Sequence, residues 1–210
     1  MSRFTIAKAK YPYLKPYLFC KCFKENLRNK TAFRQRYFFI RKFIIQYMVA
    51  AKIKTNINGF NKIDSLKGAF IVSNAKNELE KLLTFAAISK PIKVILDNSD
   101  FNKIIYKPIL KYLKIDFIDY DNLEQTIKNI DENDDANYLL FVDENNDKQL
   151  DLLIDMKKLI MPIKLENTEN LLNDENQDEL LINANVLDLI KYDEYSKIER
   201  EDLKSKIFNN

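Results

Sequence analysis

The chain has 210 residues, 46% apolar and 31% charged, enough to bury one sizeable core and at odds with wholesale disorder. It holds two glycines and no histidine, which excludes glycine-rich phosphate loops and every Ser-His or Cys-His nucleophile pair. The net charge of +3 conceals a split: residues 1–54 carry 14 Lys/Arg against one acid, Glu25, whereas residues 55–210 carry 20 against 30 Asp/Glu.

A basic arm on an acidic body predicts an anionic partner for the arm, either lipid headgroups or nucleic acid. Tyr11 to Phe23 is rich in aromatics, and Pro12 and Pro16 confine helix to its later part. Thr31 is a plausible N-cap for a longer second helix. There Phe33, Tyr37, Ile40, Ile44, Tyr47 or Met48, and Ala51 recur at three- and four-residue steps as one apolar stripe, with Arg34, Arg36, Arg41 and Lys42 beside or opposite it. Bulky apolar residues on one helix face and cations on another suit a membrane interface, so these residues form the expected membrane-binding set. A helix packed on its own core with a solvated basic back is the alternative.

The longest run without a charge, Phe43 to Ala51, is far short of the ~20 residues that span a bilayer. No secretory leader pattern precedes it, so the expected location is cytoplasmic, peripheral on the inner membrane face. Cys20 and Cys22 form a C-x-C with no histidine or further cysteine to complete a zinc site, and two reduced thiols are expected, with no metal and no cofactor.

From residue 52 short apolar runs alternate with helical patterns. Strands are expected over Ala69–Ser73, Ile92–Leu96, Ile115–Ile118, Tyr138–Val142 and Leu159–Leu165. Helices are expected over Glu78–Ile88, Phe101–Leu113, Asn122–Ile130, Leu150–Lys158 and Tyr192–Phe208, with Asn167–Asp178 as a loop. The pattern predicts an α/β domain over residues 55–210 with a largely parallel sheet flanked by helices, preceded by the helical arm of residues 1–54.

Within this pattern four blocks resemble those of the lysophosphatidate acyltransferases. Asn58-Gly59-Phe60 and Leu66 to Asn74 are similar to the family's strand-turn-strand lead-in, which continues there as His-x4-Asp. The histidine position is Ala75 and the aspartate position Glu80. In the family the histidine is the general base on the acceptor hydroxyl and the aspartate orients its ring. Alanine cannot take a proton. Leu113 to Tyr120 resembles a second block that ends in arginine, here Tyr120. Phe141-Val142-Asp143-Glu144-Asn145-Asn146 stands where the family has Phe-Pro-Glu-Gly-Thr-Arg, so its glycine is Glu144 and its arginine Asn146. Arginine suits phosphate because its fork donates two parallel hydrogen bonds, which neither tyrosine nor asparagine can replace. The fourth block survives as Leu159-Ile-Met-Pro162-Ile-Lys.

The resemblance implies the acyltransferase fold with most of its reactive groups lost. It makes a degenerate protein the leading expectation, one that binds a lysophospholipid, an acyl carrier protein or acyl-CoA, or a partner enzyme at an anionic membrane. An active lysophospholipid acyltransferase with Glu80 as base is the first alternative. A nucleic-acid-binding protein is the second, disfavoured by the acidic body. Asp143 and Glu144 read as a solvated turn or weak cation site, Lys76 and Glu80 as an i,i+4 ion pair, and Ser73 with Lys76 as a remote serine–lysine pairing.

Overall fold

The structure, a computed structural model, describes residues 14–28, 31–97, 111–118, 135–171 and 179–208. It begins with helices α1 (Leu14–Arg28) and α2 (Phe33–Ala50), strand β1 (Ile53–Asn58), helix α3 (Asn61–Asp64) and strand β2 (Ala69–Ser73). Helix α4 (Glu78–Ala87), β3 (Lys93–Asp97), β4 (Asp116–Ile118), β5 (Tyr138–Phe141), α5 (Asp147–Asp155) and β6 (Leu159–Glu166) follow. The last elements are β7 (Leu180–Val186), α6 (Tyr192–Tyr195) and α7 (Arg200–Phe208).

The strands form one sheet in the order β1-β7-β6-β2-β5-β3-β4. Five of them, β6, β2, β5, β3 and β4, run parallel; β7 is antiparallel to β6, and β1 parallel to β7. This is the expected α/β architecture with a largely parallel sheet. Side chains along a strand alternate between faces, and here both faces are covered. Ala69 and Ile71 of β2 enter a core shared with α1, α2 and α4, while Phe70 and Val72 enter a second core built with α5, α6 and α7. The parallel strands all end on the same edge, where β2 passes into α4 and β5 into α5.

Several expectations need correction. Ala32, not Thr31, occupies the N-cap of α2, with no side-chain cap; the Thr31 hydroxyl instead donates to Glu25 Oε2 at 2.6 Å. The helix expected from Leu150 starts at Asp147 and stops at Asp155, because Lys157 turns to φ 52°. The C-terminal helix is broken in two: α6 stops where Tyr195 is buried, its hydroxyl donating to Lys158 O at 2.8 Å, and α7 restarts the chain so that Leu203 and Ile207 reach the same core. Strand β1 is the first strand of the lead-in, for which the resemblance gave no bounds, and β7 is an addition; Ile53–Asn58 and Leu180–Val186 interleave asparagines with apolar residues and lack the continuous apolar run of a buried strand. Residues 111–113 are helical; the rest of the helix expected from Phe101, the helix over 122–130 and Tyr120 lie outside the described residues.

Helix α2 turns most of its apolar stripe inward. Tyr37, Ile40, Ile44 and Met48 are buried in the first core, together with the buried Arg36, so they are not at the surface. The Tyr37 hydroxyl donates to Ile88 O at 3.0 Å, and Arg41 Nε donates to the same carbonyl at 3.0 Å, fastening α2 to the end of α4. Phe33 and Arg41 are half-buried. The outward face carries Arg34, Phe38, Lys42, Ile45 and Val49, again at three- and four-residue steps. Among the described residues no helix is long and apolar enough to cross a membrane.

Candidate functional site

Residues of three of the four sequence blocks meet at the carboxyl edge of the sheet, the usual place for α/β sites. Ser73 ends β2, and Val142 just past β5 donates its N–H to Ser73 O at 3.0 Å, which holds the first and third blocks side by side. Asn74 Oδ1 accepts the Leu165 N–H at 3.1 Å, tying the β2 end to β6. In β6, Pro162 pairs in register with Val72 of β2 and lends its carbonyl to Leu187 N–H at 2.9 Å. Phe141 and Val142 are buried, so their backbone and not their side chains shapes the edge.

Ala75 is itself buried, with 5% of its surface exposed, and its N–H donates to Ser73 Oγ at 3.3 Å. Ser73 Oγ lies 3.1 Å from Thr84 Oγ1, which donates to Glu80 O at 3.0 Å. With Thr84 committed to that carbonyl, Ser73 must donate to Thr84. The Ser73 hydroxyl is fully buried against Thr84, whereas the exposed Lys76 ammonium reaches Glu144, so the Ser73–Lys76 pairing is not formed.

Glu80 occupies the third residue of α4 and closes a capping box. Asn77 is the N-cap, and its Oδ1 accepts the N–H groups of Leu79 and Glu80, both at 3.0 Å. In return the Glu80 carboxylate accepts Lys76 N–H at 2.6 Å, Asn77 N–H at 3.4 Å and Asn77 Nδ2 at 2.8 Å. Only 8% of the residue is exposed. The Glu80 carboxylate thus accepts the Asn77 N–H, which α4 would otherwise leave unpaired, together with Lys76 N–H and Asn77 Nδ2. Asn77 was not singled out from the sequence, although Asn-x-x-Glu ahead of an apolar helix is a legible capping signature.

The expected Lys76–Glu80 ion pair runs through the Lys76 backbone, and the Lys76 ammonium reaches Glu144 Oε1 at 3.8 Å, an exposed contact between the first and third blocks. Asp143 folds an Asx-type turn: its Oδ1 accepts Asn145 N–H at 3.0 Å, and its own N–H donates to Gln149 Oε1 at 2.6 Å. Among the described residues no three acidic or cysteine side chains gather to hold a metal ion. Both cysteines are free; Cys20 is exposed, whereas burial pushes the Cys22 thiol up to about 12. Burial likewise raises Tyr37, and lifts Tyr112 to about 12.

No family model matches the sequence, and no curated protein matches it. Among solved structures, the chain is similar to the crystal structure of the 1-acyl-sn-glycerophosphate (LPA) acyltransferase PlsC from Thermotoga maritima. The two superpose with a TM-score of 0.68 at 13% identity, over 98% of this chain and 88% of that one. The protein has an acyltransferase-like fold. At that identity the likeness reaches the backbone arrangement, and the chemistry rests on the side chains described above.

Proposed function

We propose that this protein is a phospholipid-acyltransferase-like protein that works at the inner membrane surface without catalysing acyl transfer, holding a lysophospholipid, an acyl carrier or a partner enzyme. One observation carries the reading: at the sheet edge where the resemblance puts a histidine and its aspartate, the chain has a buried methyl group, Ala75, and a carboxylate, Glu80, consumed by the cap of α4. A general base has to reach its proton with a free lone pair. Glu80 is buried, is engaged by three donors of its own cap and has no imidazole to orient, which also argues against the histidine-free enzyme.

The outward stripe of α2, not the buried one, faces the membrane. Phe38, Ile45 and Val49 are exposed large apolar side chains interleaved with Arg34 and Lys42, and α1 adds exposed Tyr17 and Phe23 beside Lys24. Aromatic and aliphatic groups set among cations suit the headgroup–acyl boundary of an anionic bilayer. The test is sedimentation of the full chain with vesicles containing anionic lipid. Wild-type protein co-sediments, and Arg34→Gln with Lys42→Gln weakens binding by about thirtyfold, from ~1 kcal/mol per cation near the surface. Binding to RNA but not to these vesicles would contradict the reading.

A further inference from the structure

A groove of about 490 Å³ runs between α2, β1 and the C-terminal half of α4. No residue of Asn74–Glu80 or Phe141–Glu144 lines it, so it is separate from the sheet edge that carries the acyltransferase-like blocks. Its volume lies within the range of small-molecule sites. The wall is aliphatic: Ile45, Met48, Val49, Ile57, Leu83 and Leu181 line it. Ile45, Val49 and Leu181 are also large apolar side chains that the surface leaves 36%, 64% and 51% exposed, so an alkyl chain in the groove would cover what water now touches.

Charge narrows the occupant. Two cations line the groove, Arg41 and Lys54. Lys54 is already paired, its Nζ 2.6 Å from Glu179 Oε1. Arg41 gives Nε to Ile88 O, and among the described residues no carboxylate pairs with its guanidinium. Among the described residues Arg41 is thus the groove cation without a carboxylate partner. A carboxylate balances it, whereas a phosphate monoester brings about −1.5 to −2 at neutral pH. The remaining guanidinium N–H donors fit a carboxylate and a phosphate alike, so charge balance makes the choice.

We propose that the groove binds a free long-chain fatty acid, its alkyl chain along Ile45, Val49, Leu83 and Leu181 and its carboxylate on the Arg41 guanidinium. This goes beyond the membrane reading but shares Ile45 and Val49 with it, so a bilayer and a bound chain compete for those side chains. The test contains no vesicles, and Leu181 lies outside the membrane stripe, so either can fail alone. Full-length protein is titrated with cis-parinaric acid, a fluorescent polyene fatty acid, which is then displaced by palmitate, hexadecanol or lysophosphatidate.

The expected result is one saturable site from which palmitate displaces the probe better than lysophosphatidate does. Val49→Asp and Leu181→Asp, both at the exposed rim and away from the core, weaken the probe by about tenfold or more. Arg41→Gln weakens palmitate by roughly ten- to a hundredfold and leaves hexadecanol unchanged, because only the charged partner loses its hydrogen bonds. Should Arg41→Gln disturb α2 through the lost Ile88 contact, the two rim variants decide alone. Absence of saturable binding, or binding indifferent to both rim variants, overturns the site. Lysophosphatidate displacing as well as palmitate overturns the choice of a carboxylate.

Discussion

Replacing Glu80 by alanine separates a helix cap from a catalytic base. The substitution leaves Lys76 N–H and Asn77 N–H without their acceptor and removes the partner of Asn77 Nδ2. Hydrogen bonds to a charged acceptor contribute ~1.5–3 kcal/mol each, and loss of a cap ~1 kcal/mol. Because the Asn77 contacts are only partly buried and water recovers some of them, we expect a total of about 2–3 kcal/mol for Glu80→Ala. For a chain of this size each kcal/mol moves the melting temperature by ~2–4 °C, so Tm falls by roughly 4–12 °C. Glu80→Gln keeps one acceptor oxygen for Lys76 N–H but sets its amide donor against Asn77 Nδ2, so it recovers only part of the Glu80→Ala loss. Asn77→Ala combined with Glu80→Ala costs less than the two singles together, since both break the same reciprocal box. Thermal and urea melts followed by far-ultraviolet circular dichroism measure the wild type and the four variants. A Glu80→Ala melt within about 1 °C of wild type would refute the reasoning, because the carboxylate would then be free of the cap.

Gly59 sits at φ +73°, and a Cβ there would meet Val186 O at 2.8 Å, so Gly59→Ala destabilises by at least ~1–2 kcal/mol in the same melts. In native protein a thiol reagent near neutral pH modifies Cys20 and spares Cys22, whose pKa of about 12 keeps it protonated; both react after denaturation. Stability is also lost on the alkaline side. Cys22 and Tyr112 ionise near 9.0 and 10.0 when unfolded but only at about 12 in the fold, and Tyr37 and Tyr195 are raised too. Their contribution is complete below the unfolded values and disappears as pH rises toward the folded ones, so Tm declines steadily above pH 9.0.

What the sequence discloses depends on how local the cause is. Ala69–Ser73 and Tyr138–Phe141 are apolar on both faces because helices cover both sides of those central strands, and uninterrupted apolar runs are legible without any structure. β1 and β7 lie to one side of that centre, where one face of each strand is exposed or half-buried, and their asparagines pair across strands, Asn58 Nδ2 to Asn185 Oδ1 at 2.7 Å. That pairing joins residues too far apart in the chain for any local pattern to suggest it. The stripe of α2 is a different case. Periodicity correctly marks one face for burial, but it cannot say whether protein or lipid covers it; Phe85 and Ile88, against which Tyr37 packs, lie in and after α4. The Asn74, Ala75 and Phe141–Glu144 blocks were legible as parts of one edge through their resemblance to a family. The role of Glu80 within that edge followed only from its hydrogen bonds, because a carboxylate that caps a helix and one that serves a histidine occupy the same position in the chain.

The most direct test of the central claim is acyl transfer by the purified full chain, offered labelled acyl-carrier-protein and coenzyme A donors with a panel of lysophospholipids. The account predicts no turnover above a protein-free blank for any pair, and the same result for Glu80→Ala. Turnover by the wild type that disappears in Glu80→Ala, at a temperature where both proteins are folded, would contradict it and make Glu80 a base.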